Sequence, residues 1–259
     1  MEDLIASPAF WGSLLTLTFL EVILGIDNLL FVSIAVAKLK GKELKNARRI
    51  GVWGAMALRI LLLSGIFWII ALDAEPLFHM PDILATLASG GDEHAFEAFS
   101  EVTIKDIILF AGGLFLLWKG TGEIHSAVEG TGHEESQAKS AFGAVVLQLF
   151  VINVVFSLDS VITAVGMTDI LIVMIAAVVL STIVMALAAE PLGGFIEKHP
   201  TTKMLALAFI LLVGVALVAD GLGFHIPRGY LYFAIAFSLT VELLNIQARR
   251  KAGPETAGH

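Results

Sequence analysis

Glu21-Val-Ile-Leu-Gly-Ile-Asp27-Asn28-Leu-Leu-Phe31 and Asn153-Val-Val-Phe-Ser-Leu-Asp159-Ser160-Val-Ile-Thr163 each carry a carboxylate at the same point of an otherwise apolar stretch. The register extends outward: Phe10 aligns with Phe142, Thr16 with Gln148, Glu21 with Asn153 and Asp27 with Asp159. A charge at the centre of a membrane helix costs roughly 2.5 to 3.5 kcal/mol on insertion scales. Placing one twice at equivalent points therefore marks a polar site or pathway lined from two halves of the chain.

Composition sets the environment of these stretches. Of 259 residues, 57% are hydrophobic and 15% charged, and several apolar runs approach the ~20 residues needed to cross a bilayer. The chain reads as an all-α integral membrane protein with seven spans: about Phe10 to Ala37, Gly51 to Leu72, Ile104 to Trp118, Ala141 to Gly166, Ile170 to Ala189, Leu205 to Ala219 and Gly229 to Gln247. The first span has no basic flank before it and no small-residue cleavage site after it, so it is expected to be retained. Cysteine is absent, which leaves oxygen and imidazole as ligand types. The histidines His79, His94, His125, His133, His199 and His225 lack ligand spacing, and no nucleophile elbow, phosphate loop or zinc-protease helix is found, so an enzyme is not expected. Nothing supports a nucleic-acid partner.

Lys38, Lys40, Lys42, Lys45, Arg48 and Arg49 crowd the first loop. The positive-inside rule makes that loop cytoplasmic, the N-terminus external and the C-terminus internal, with Arg249, Arg250 and Lys251 in agreement. Spans one and four, three apart in a chain that reverses at every crossing, then run in opposite directions. The expected architecture is two inverted three-helix repeats, about residues 10–120 and 141–222, plus an extra helix at about 229–247 and a tail at 251–259. A weaker echo, Trp118-Lys-Gly120-Thr-Gly122 against Ala219-Asp-Gly221-Leu-Gly223, extends the repeat to spans three and six. Gly120 to Gly132 is expected as a loop.

Asp27 and Asp159 lead the candidate site, because two converging carboxylates offer hard oxygen ligands to Mg, Ca or Mn. Asn28 and Ser160 follow them directly. Glu21 is a third acid, its counterpart Asn153 a neutral oxygen donor. A regular helix turns Asp27 about 100° from Asn28, so a local unwinding at Gly25 and Ser157 would help both to reach one point. Glu21 either binds the ion or carries a proton. Arg59 either pairs with a buried acid or snorkels to the interface. The alternative for all of these residues is hydrogen-bonding glue between helices. Glu190 and Asp220 are expected at the membrane interfaces, and Glu242 near the end of the last span.

The motifs around Leu20-Glu21 to Asn28, Phe156 to Gly166, and Gly223-Phe-His-Ile-Pro-Arg-Gly-Tyr230 resemble the TerC family of integral membrane proteins, most closely its YoaE/YgdQ-like branch, over nearly the whole chain. The resemblance implies a seven-span protein of the LysE-type transporter group, with roles in manganese export, metal loading of exported proteins and tellurium resistance. It implies functional acids at Glu21, Asp27 and Asp159; at Asn153, where such sequences often carry an acid, this chain is neutral. The expected function is transport of a divalent cation, Mn²⁺ first, outward across a bacterial cytoplasmic (inner) membrane by alternating access in exchange for protons. The ion is substrate, no permanently bound cofactor is expected, and the partners are the ion and the lipid bilayer, with a homo-oligomer compatible. The alternatives are a non-transporting membrane factor that supports metal loading or stress response, and an exporter of an organic cation or amino acid.

Overall fold

The computed structural model describes residues 7–65, 76–79, 101–129, 138–168, 170–224 and 226–252. Among them are seven α-helices: α1 (Pro8–Val36), α2 (Gly41–Ser64), α3 (Ile104–Glu129), α4 (Ala138–Met167), α5 (Leu171–Lys198), α6 (Pro200–Gly221) and α7 (Arg228–Ala252). Two short strands, β1 (Phe78–His79) and β2 (Glu101–Val102), pair antiparallel between α2 and α3.

Local signals explain where the helices begin. Ser7 caps α1, its Oγ accepting from Phe10 N at 3.2 Å, with Pro8 in the first turn. Thr103 and Asp106 cap α3 reciprocally: Asp106 Oδ2 accepts from Thr103 N at 2.9 Å, and Asp106 N donates to Thr103 Oγ1 at 3.3 Å. These contacts satisfy N–H groups that have no partner within the helix. Proline opens α6 as it opens α1.

Six helices, all but α2, are long and apolar enough to cross a membrane. The charged first turns of α2 leave only the stretch from Ile50 to Ser64 apolar within the described residues. The remainder of the expected second span, to Leu72, lies outside them. Two expectations are corrected. The helix α3 continues to Glu129, through much of the segment read as a loop, and Gly120 packs closely against Leu211 of α6 within it. The helix α5 runs through Pro191 to Lys198, well past the expected end at Ala189. The proposed unwinding is also absent: α1 passes through Gly25, and α4 through Ser157, as continuous helices.

The most extensive packing joins α3 to α6, α1 to α5 and α2 to α4. In the first of these the two backbones touch. A Cβ on Gly113 would fall 2.7 Å from the Gly214 carbonyl oxygen, and one on Gly214 would fall 3.2 Å from that of Gly113. Either side of this crossing, Gly120 lies against Leu211 and Gly221 against Phe110, so the helices are antiparallel. Small residues permit such approach between membrane helices. Gly25 does the same between α1 and α5, where a Cβ would meet Met185 Sδ at 2.2 Å. The main core joins the second half of α1 to α3, α4 and α6, and every residue of α1 from Asp27 to Val36 is buried. Large apolar side chains such as Phe19, Leu187 and Phe233 stay exposed on the outer surface, as helices facing acyl chains require.

Contacts between side chains define one end of the bundle. Lys38, after α1, pairs with Glu123 near the end of α3, and Arg48 of α2 lies against Gly193 of α5. Thr201 of α6 donates to Glu242 of α7.

Candidate functional site

The helix α1 is regular through its polar residues, and so it aims them at different neighbours. Glu21 faces α2, where its Oε2 accepts from Arg59 Nη1 at 3.0 Å, with both side chains 1% exposed. Of the two readings of Arg59, the structure takes the buried pair. Asp27 instead interacts electrostatically with Arg228 and Asp159. Because α1 is enclosed on all sides from Asp27 onward, Asp27 and the adjacent Asn28 are both buried despite pointing about 100° apart.

The second carboxylate of the repeat, Asp159, is held from α7. Arg228 Nη2 donates to Asp159 Oδ1 at 3.0 Å and to Asp220 Oδ2 at 2.8 Å. One guanidinium nitrogen thus bridges the C-terminal part of α4 to the end of α6. Asp220 also anchors the α6–α7 turn, its Oδ1 accepting from Ile226 N at 3.3 Å. Glu21 and Asp159 interact as well, and Tyr232, one turn after Arg228, interacts with Asp27, Asp159, Glu21 and Arg228. The three motif acids therefore share one electrostatic neighbourhood.

The remaining candidates serve helix contacts while keeping oxygens free. Asn153 Nδ2 donates to the Gly51 carbonyl at 3.0 Å, tying α4 to α2. Ser160 Oγ donates to Ser157 O at 3.2 Å, and Thr163 Oγ1 donates to Asp159 O at 2.9 Å. Asp27 Oδ1, Asn28 Oδ1, Asn153 Oδ1, Ser157 Oγ and Tyr232 OH are buried and make no hydrogen bond within the protein. Buried polar atoms without a partner in the protein are uncommon. Among the described residues no three His, Asp or Glu side chains are grouped as a ready metal centre. Of the histidines, His125 pairs with Glu129 at 3.1 Å and the His199 ring nitrogen lies 2.9 Å from Phe195 O. His94, His133 and His225 fall outside the described residues.

Sequence reasoning missed Arg228, Asp220 and Tyr232. Arg228 starts an apolar helix, and Asp220 closes another eight residues earlier, so both resemble interface residues until the hairpin folds them onto Asp159. The signal available was that spacing, together with Tyr232 one turn beyond Arg228 on the same face.

Comparison with known proteins agrees with this architecture. Residues 6–254 match the family described as "Integral membrane protein TerC family". The chain is 44% identical over 247 residues to the "UPF0053 inner membrane protein YgdQ" of Escherichia coli K12, covering 95% of this chain and 97% of that one. It is 45% identical over 252 residues to a "UPF0053 protein" of Haemophilus influenzae, covering 96% and 99%. Against the longer "UPF0053 inner membrane protein YoaE" of Escherichia coli K12 it is 44% identical over 250 residues, 96% of this chain but 45% of that one. No solved structure matches.

Proposed function

Because the chain belongs to the TerC family of integral membrane proteins, we propose that it carries a divalent cation, Mn²⁺ first, out across the cytoplasmic membrane in exchange for protons. The observation that carries this reading is a charge imbalance. Among the described residues of the cluster, four carboxylates (Glu21, Asp27, Asp159, Asp220) stand against two guanidinium groups (Arg59, Arg228). Glu21 and Arg59 neutralise each other. Asp27 and the Asp159–Arg228–Asp220 group carry the surplus of two negative charges when all are ionised.

Asp27 is buried, and a buried charge is costly unless it is balanced, so a divalent cation shared by Asp27 and Asp159 offsets the surplus. Asp27 and Asp159 bind the ion through hard carboxylate oxygens suited to Mn²⁺, and Asn28, Asn153 and Ser160 are the further oxygen donors on the same two helices. Glu21, a candidate ligand from the sequence, has its carboxylate taken by Arg59 and is left as a fixed charge.

The packing supports the two inverted repeats on which alternating access depends. Exchanging α1 with α4, α2 with α5 and α3 with α6 turns the α1–α5 contact into the α4–α2 contact, and leaves the α3–α6 contact as itself. It also turns Gly120–Leu211 into Gly221–Phe110 at the same residue offset that relates Gly113 to Gly214. With the basic end cytoplasmic, the seven helices run from an external N-terminus to an internal C-terminus.

The test is Mn²⁺ flux into liposomes holding the purified protein under an imposed pH gradient, for wild type, Asp27→Asn and Asp159→Asn. Gradient-driven flux in wild type, lost in both folded variants, is expected. Undiminished flux in either variant would refute the site. Absence of Mn²⁺ flux in folded wild type would favour the partner-dependent metal-loading factor.

A further inference from the structure

A second charged feature lies at the basic end of the bundle, apart from the buried acids. Lys45, Arg48 and Arg49 of α2 follow helical spacing of three and four residues, which puts them on one face. That face continues as Val52 and Trp53, and opposite it α5 presents Ala186 and Ala189. Between them is a cleft of about 170 Å³. Three cations line it against one carboxylate, Glu190.

Arg48 is built into this cleft. Its guanidinium lies on Gly193, where a Cβ would approach Nη2 to 2.5 Å, so α5 leaves room there for the side chain. Its Nε is buried and makes no hydrogen bond within the protein. A guanidinium with an unsatisfied N–H, beside a second arginine and a lysine, suits a phosphate, whose oxygens accept paired N–H donors. The surroundings of the cleft identify the source of that phosphate. Ile183 and Leu187 lie on the α5 face that leads to Glu190, and both are exposed, Leu187 by 73%. Trp53, half-exposed at the rim, has the amphipathic ring that settles at headgroup level. The cleft therefore opens where a basic helix end meets a surface that faces acyl chains, and basic pockets between membrane helices at that level take anionic headgroups.

We propose that the cleft between α2 and α5 binds the phosphate headgroup of an anionic phospholipid through Arg48, Arg49 and Lys45, with an acyl chain laid along Ile183 and Leu187. The lipid thereby bridges the two helices.

Native mass spectrometry of the purified full chain in neutral detergent, titrated with phosphatidylglycerol or phosphatidylcholine, tests this. Saturable binding of phosphatidylglycerol is expected, with phosphatidylcholine at least about tenfold weaker, because its choline cation offsets the phosphate charge beside Lys45, Arg48 and Arg49. Arg48→Gln and Arg49→Gln should each lower phosphatidylglycerol affinity by a similar factor, whereas Lys203→Gln, at the same end of the bundle on α6, should not. Arg49 is exposed, so its variant carries the test should Arg48→Gln fail to fold. Equal binding of phosphatidylcholine, or an equal loss in Lys203→Gln, would overturn the site in favour of diffuse attraction. Competition by inorganic phosphate at concentrations matching the lipid would show a soluble anion site instead and overturn the lipid assignment.

Discussion

Arg59 meets Glu21 and Arg228 meets Asp159 at the same 3.0 Å, yet the first pair is 1% exposed on both sides and the second 24% and 25%. The chemistry is identical and the surroundings are not. Arg59 and Glu21 are sealed between α1 and α2, where each ion requires the other because neither reaches water. Arg228 divides one nitrogen between Asp159 and Asp220 and keeps partial access to solvent, so its partners can be exchanged. The comparison separates a contact that holds the bundle together from one that an incoming cation can displace.

Removing one partner of the sealed pair should have the largest effect. Arg59→Met should cost about 3 to 5 kcal/mol, the usual loss when a buried charge is left unpaired, measured as loss of folded protein after extraction and a lower thermal midpoint. Adding Glu21→Gln to Arg59→Met should recover most of that loss, since two neutral side chains leave no buried charge; a double variant no more stable than Arg59→Met would erase the distinction. The open pair should respond more weakly. Arg228→Gln is expected to cost about 1 to 2 kcal/mol, between an exposed ion pair and a sealed one, by the same thermal measurement. A loss as large as that of Arg59→Met would make Arg228 structural too. The smallest effect is ionic: raising salt from about 0.1 M to 1 M, which shortens the Debye length from about 10 Å to 3 Å, should narrow the gap between wild type and Arg228→Gln and leave that between wild type and Arg59→Met unchanged.

The two pairs also differ in how visible they were in the sequence. Glu21 and Arg59 each interrupt an apolar run, so both announce themselves, and a partner for Arg59 was foreseeable among the deep acids. Asp27 and Asp159 were visible for the same reason and through their shared register. Arg228 and Asp220 sit at helix ends, where a charge is ordinary, and only the α6–α7 turn reveals that they face Asp159. Hydropathy located most of the helices, but it follows lipid contact and not helix length, and so it ended α3 at Trp118 although the helix continues to Glu129. The unwinding at Gly25 was inferred from the need to aim Asp27 and Asn28 at one point. The helix is continuous there, and both side chains are nevertheless buried because α1 is enclosed from Asp27 onward.

Where Gly113 and Gly214 meet, peptide lies against peptide, and the side chains of Val218 and Leu117 fill the notches that the two glycines leave. Leu211 and Phe110 sit in the same way against Gly120 and Gly221 further along the pair. The junction is a closed seam in which each glycine is the keyhole for a side chain of the other helix. A methyl group on Gly113 would act as a wedge, since it would fall 2.7 Å from backbone atoms of α6, and the two helices would have to part to admit it.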